Sequence, residues 1–308
     1  MASGMANDVH LEQLAVSLPR QVLPGSILLV TRRCVQRQFL LRPDPKTRNA
    51  VIYCLAVAAA RFEIAVLDFV AMSNHLHYVI QDRHGNSPAF FEYFHKLVAK
   101  CMNARWGRWE NFFASTQTSV VRLTTREAVI KELVYVATNP VNDGLVAYTH
   151  QWPGALGHHA LVRKTVLHAE RPTWFFAAFG AMPKRAELEL TIPVELGDRA
   201  PLVAEVRDQV AAIERRNAGR SVIGRAALMR QSPFASPSTL EPRRGMSPRV
   251  AAVDTFKRLE AIQRNRDFVK AYRHARAAFK AGRATVFPTG TYWLRRFAGV
   301  TVASENAM

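Results

Sequence analysis

Two small groups of side chains in this 308-residue chain have the types and spacing for chemistry. The first is His75-Leu76-His77. Alternate residues of an extended strand share a face, so two imidazoles at i and i+2 stand side by side while Leu76 turns to the packed side. Such a pair can offer two ring nitrogens to one divalent metal. It can equally be two half-exposed histidines on a solvated strand. The second group is Tyr135 and Asn139, four residues apart at a helix end and so on one face. A phenol there can act as a nucleophile and a carboxamide oxygen as a metal ligand. The plainer alternative is a packed Tyr and an Asn that ends the helix before Pro140. His84, His95, His150, His168 and the His158-His159 pair read as surface histidines. Cys34, Cys54 and Cys101 have no metal or redox spacing and read as buried thiols in a reducing cytosol.

The elements that must position these groups follow from hydropathy. Residues 26–31 read as a buried strand, 47–61 as a helix, and 63–71 and 75–81 as a hairpin turning at Met72-Ser73-Asn74. A helix over 88–102 carries Pro at its first turn. Thr124 and Glu127 form a capping-box pattern that opens a helix over 125–138, which Asn139-Pro140 should stop. Because a hairpin requires an antiparallel pair, the class is α+β, an antiparallel sheet flanked by helices. The second half reads as mainly helical over 202–217, 220–230 and 249–281, with a short last element after the 287–292 turn. Residues 219–225 between two helices suggest a helix-turn-helix. Residues 232–248, rich in Ser, Pro and Arg, read as an exposed linker. The expected division is a catalytic domain over 20–182 and a basic, mostly helical region over 183–308.

Charge narrows the partners. The chain has 42 Lys and Arg against 24 Asp and Glu, a net charge of +18 and a pI near 10.6. That surplus favours a polyanion, either nucleic acid or an anionic membrane. No membrane span is expected, because Arg61, Glu63 and Asp68 interrupt the most apolar stretch. Asp8, His10, Glu12 and Gln13 fall where the apolar part of a leader would sit, so a cytoplasmic location is expected. The stretch from Lys184 onward carries net +11, against +7 for the longer part before it. Its cations between Lys257 and Arg283 alternate with Phe256, Phe268, Tyr272 and Phe279. Such a stripe can track a nucleic-acid backbone and stack bases, or the aromatics can be a buried face. Arg32, Arg33 and Arg37 near the first strand are candidate phosphate contacts or solvated surface charges.

Taken together, 72–77 and 135–146 resemble the two signature blocks of the single-tyrosine HUH transposases. That family comprises certain insertion-sequence transposases and the REP-associated tyrosine transposases. His75-Leu76-His77 matches the His-hydrophobic-His block that gives HUH its name. The second block is similar to the family's Y-I-x-x-N-P-V-x-x-G-L-V, with Val136 in place of Ile. Val30-Thr31-Arg32-Arg33 through Phe39-Leu40-Leu41 resembles its opening strand and loop, so the resemblance covers about 23–157. Ser73 stands where the family often has Pro, no His precedes Val30-Thr31, and Asn142-Asp143 replaces a basic-plus-small pair. The resemblance implies an HUH, ferredoxin-like sheet and attack by Tyr135 on a DNA phosphodiester, leaving a 5′-phosphotyrosine. It further implies that His75, His77 and Asn139 hold Mg²⁺ or Mn²⁺. The DNA would be single-stranded or hairpin, with the protein at the bacterial nucleoid when bound. Monomer and homodimer both stay open. Two rivals remain: a DNA-binding protein of the same descent whose cleavage is weak or lost, and a metal-dependent hydrolytic nuclease.

Overall fold

Residues 19–239 and 249–304 are described by the computed structural model. Positions 1–18, on which the reading of the N-terminus fell, and positions 240–248 of the expected linker lie outside them. Five strands form the main sheet, in the order β2 (Ile64–Ala71), β3 (His75–Asp82), β1 (Ser26–Arg33), β4 (Ser119–Leu123), β7 (Val250–Ala251). Every pairing is antiparallel except that of β7 with β4. A separate antiparallel pair joins β5 (Leu167–Glu170) to β6 (Arg185–Leu188).

Side-chain alternation gives the sheet two apolar faces. Leu28, Val30, Leu76, Tyr78 and Ile80 pack with helices α1 (Pro45–Phe62) and α2 (Ser87–Trp106). Ile27, Leu29 and Val79 turn the other way, with α3 (Arg126–Asn142) and α5 (Arg199–Asn217). The short helices are α4 (His158–Arg163), α6 (Arg225–Arg230) and α8 (Trp293–Ala298), and the long one is α7 (Thr255–Lys280). This is the α+β architecture expected from the pattern.

Several boundaries differ from expectation. Leu202, Val206 and Val210 of α5 join the same core as Val129, Leu133 and Val136 of α3. Among the described residues one compact unit runs over 22–262, and the other combines 19–21 with 263–304. The N-cap of α3 is Thr125, whose side chain accepts from Ala128 N–H, and the Thr124–Glu127 box is not the cap. The helix also continues through Pro140 to Asn142. The expected helix over 220–230 begins only at Arg225, and the seven residues 218–224 between α5 and α6 exceed the 3–4-residue turn of a helix-turn-helix. Residues 232–239 hydrogen-bond to the 36–42 loop and are no free linker. His158 lies inside, and His95 bonds to the buried Tyr78 hydroxyl at 2.9 Å. Burial holds their pKa values down to about 4 and about 3. All three cysteines are buried, and among the described residues no helix is long and apolar enough to cross a membrane.

The edge strand β2 carries a bulge between Val66 and Asp68 and is covered by Gly157 N–H on Phe69 O and Thr191 N–H on Val66 O. The buried Asp68 carboxylate accepts from Phe69 N–H at 2.7 Å, and burial pushes its pKa well up. Gly157 passes directly over it. A Cβ there would press on Asp68 Oδ1 and lie 2.8 Å from Leu190 Cδ1. Gly157→Ala is expected to destabilise the chain by about 1–3 kcal/mol through overpacking, read as a lower urea midpoint at unchanged slope.

Candidate active site

Strand register decides which side chains can meet. In the β1–β3 pairing Thr31 lies opposite His77, Arg32 opposite Leu76 and Arg33 opposite His75. Thr31, Arg33, His75 and His77 therefore share the face that α3 covers, while Arg32 points to the other side. There Arg32 donates to Thr116 O at 2.6 Å and lies 5.3 Å from the Phe113 ring centre. It is a packing residue and does not join the other two arginines.

His75 and His77 meet edge to face, with ring centres 4.5 Å apart. Each is oriented through Nδ1: His77 by Thr31 Oγ1 at 2.8 Å, His75 by Asn74 Oδ1 at 2.6 Å. In the tautomer where Nδ1–H donates to these oxygens, each Nε2 carries a lone pair. Burial, then the charges of His75 and Arg33, hold the His77 pKa well below the usual imidazole range. The ring is thus neutral at pH 7, as a ligand must be.

The Tyr135 hydroxyl stands 3.4 Å from His77 Nε2, long for a hydrogen bond, with ring centres 5.2 Å apart. The residue is 40% exposed, so its ring opens to solvent while His77 is buried. Continuation of α3 through Pro140 puts Asn139 inside the helix, one turn beyond Tyr135 and on its face. Asn139 is buried and its Oδ1 has no hydrogen-bond partner. Leaving such an acceptor unmade costs about 1–3 kcal/mol, and a cation would satisfy it. Two imidazole nitrogens and one amide oxygen make a mixed set that suits Mn²⁺ and admits Mg²⁺. Among the described residues no group of three or more His, Cys, Asp or Glu could hold a metal.

A cleft of about 670 Å³ opens at His75, lined also by Arg33, Arg37, Asn74 and Asp143. Burial raises the Asp143 pKa. Gln36 and Arg37 both lie in the left-handed region, at φ 48° and 58°, a conformation costing about 1–3 kcal/mol for each non-glycine residue. The 231–239 segment holds this loop in place. Ser236 Oγ donates to Gln36 O, Phe39 N–H to Ala235 O, and Arg37 Nη1 to Thr239 O at 2.7 Å. Thr31, Asn74, Asp143 and this segment were not singled out from sequence. Only Thr31 had a readable signal, its place in a strand that could pair with the His75–His77 strand.

No family model matches the sequence, and no curated protein matches it. Among solved structures, a REP-associated tyrosine transposase bound to a REP hairpin is similar at 14% identity and a TM-score of 0.41, covering 58% of this chain and 100% of that one. The tRNA(His) guanylyltransferase of Saccharomyces cerevisiae is similar at 8% identity and a TM-score of 0.34, covering 78% and 89%.

Proposed function

We propose that this chain is a metal-dependent DNA strand transferase that cleaves and rejoins single-stranded or hairpin DNA through a phosphotyrosine at Tyr135. The reading rests on the Tyr135 hydroxyl, 3.4 Å from a neutral His77 whose partner His75 lies alongside. The signature-block resemblance over 72–77 and 135–146 supports it. His75 and His77 Nε2 with Asn139 Oδ1 would hold Mg²⁺ or Mn²⁺, which when bound supplies Lewis-acid polarisation of a phosphoryl oxygen. Tyr135 oxygen forms the new bond to phosphorus as the bond from phosphorus to the 3′ oxygen breaks. The phenol proton passes to water at the exposed side, and the departing 3′ oxygen takes one up. Since a phenol has a pKa of about 10, this proton must leave during attack. The covalent ester conserves the bond energy, so a second 3′-OH can reverse the step and release Tyr135. Arg33 and Arg37, which line the cleft, would contact the flanking phosphates.

The test is trapping. Labelled single-stranded DNA incubated with the chain and Mn²⁺ is expected to yield a protein–DNA adduct stable to denaturing electrophoresis. Cleavage without an adduct would mark a hydrolytic nuclease, and binding without cleavage a DNA-binding protein.

A further inference from the structure

The second compact unit carries charge out of proportion to its size. Between Gln263 and Ser304 nine Lys and Arg stand against a single acid, Asp267. On α7 these cations are sorted by face. At 100° per residue, Arg266, Lys270, Arg273, Arg276 and Lys280 fall within about 120° of the helix circumference and span about 21 Å. Four of the five are exposed and Arg276 is half-buried. Phe268 and Ala275, on another arc, are buried, and Tyr272 and Phe279 meet Phe287 at 5.7 and 6.0 Å. Most of the apolar face is thus covered, with Phe279 left 43% exposed. Like charges three and four residues apart destabilise a helix, so this face pairs best with an external polyanion.

The same unit displays two flat rings. Trp293 and Phe297 of α8 stack with centres 5.5 Å apart and planes 9° from parallel, and are 45% and 73% exposed. Arg296 lies 5.8 Å from the Phe297 ring centre and donates to the Tyr292 hydroxyl at 2.9 Å. Exposed aromatics among arginines form a surface on which unpaired bases stack. A duplex keeps its base faces internal and offers none.

We infer that this unit is a second nucleic-acid-binding surface, built from residues other than those of the tyrosine site. It takes single-stranded polynucleotide, with phosphates along the α7 cationic face and unpaired bases on Trp293 and Phe297. Binding here needs neither metal nor covalent chemistry, so it does not depend on the proposed reaction.

The full chain is titrated against a fluorescent single-stranded oligonucleotide with EDTA present, over a range of salt. The variant Lys270→Gln/Arg273→Gln/Lys280→Gln is expected to bind more weakly, its salt slope smaller by about two at roughly 0.7 per phosphate contact. Trp293→Ala/Phe297→Ala is expected to lose about tenfold or more at unchanged slope. Circular dichroism melts confirm that both variants fold. Wild-type affinity and slope in the triple variant would overturn the inference. So would equal affinity for a duplex of the same length, or binding to phosphatidylserine vesicles in place of the oligonucleotide. Tyr135→Phe should bind as wild type, so failure of adduct formation and failure of this surface are read separately.

Discussion

Tyr135→Phe is expected to abolish the covalent adduct and cut DNA cleavage by at least roughly a thousandfold while leaving fold and DNA affinity in place. The substitution keeps the ring, and with it the edge contact to His77 at 5.2 Å. It removes a hydroxyl whose contact with His77 Nε2 is 3.4 Å long on a residue 40% exposed. A weak, partly solvated hydrogen bond of that kind contributes about 0.5–1.5 kcal/mol at most. The change in thermal midpoint should therefore be small. Loss of the proposed nucleophile is another matter, because the ring that remains has no oxygen with which to form the ester. Labelled DNA on a denaturing gel reads both adduct and cleavage. A Phe variant that cut DNA at the wild-type rate would show water to be the nucleophile and would end the strand-transfer reading.

Within each element the candidate site was legible because it is periodic. Period two puts His75 and His77 on one face whatever they pack against, and a period of 3.6 does the same for Tyr135 and Asn139. That the strand and the helix meet is a tertiary fact, carried in the sequence only by the resemblance of the two blocks. Other features were lost for definite reasons. Pro140 reads as a stop because it lacks an N–H, yet the last turn is held by Leu145 and Val146 N–H on Pro140 O and by Asn142 Nδ2 on Thr138 Oγ1. Arg32 could have been separated from Arg33, since neighbours on a strand face opposite ways. Residues 232–239 have a linker's composition, and their bonds to the 36–42 loop link positions roughly 200 apart in sequence. β7 has two residues, too few for any periodicity to register.

The same geometry sets a graded expectation for the metal. Chelation by EDTA and the variant His77→Ala should each remove cleavage to background, with salt-dependent DNA binding largely retained. The two effects share a cause: either change removes the cation proposed to satisfy the buried Asn139 Oδ1. Thr31→Val tests the arrangement more sharply. It preserves shape and strand pairing but deletes the oxygen 2.8 Å from His77 Nδ1. Loss of such an orienting partner typically weakens metal affinity 10–100-fold. The Mn²⁺ concentration for half-maximal cleavage should rise by that factor, with full activity restored at saturation. His77→Ala, by contrast, should not recover at any concentration. If Thr31→Val instead lost activity that added Mn²⁺ could not restore, while melting like wild type, Thr31 would be acting on the reaction itself and the ligand-orienting role would fall. If DNA affinity collapsed in His77→Ala, the imidazoles would be structural, and a buried His77 would then be packing and nothing more.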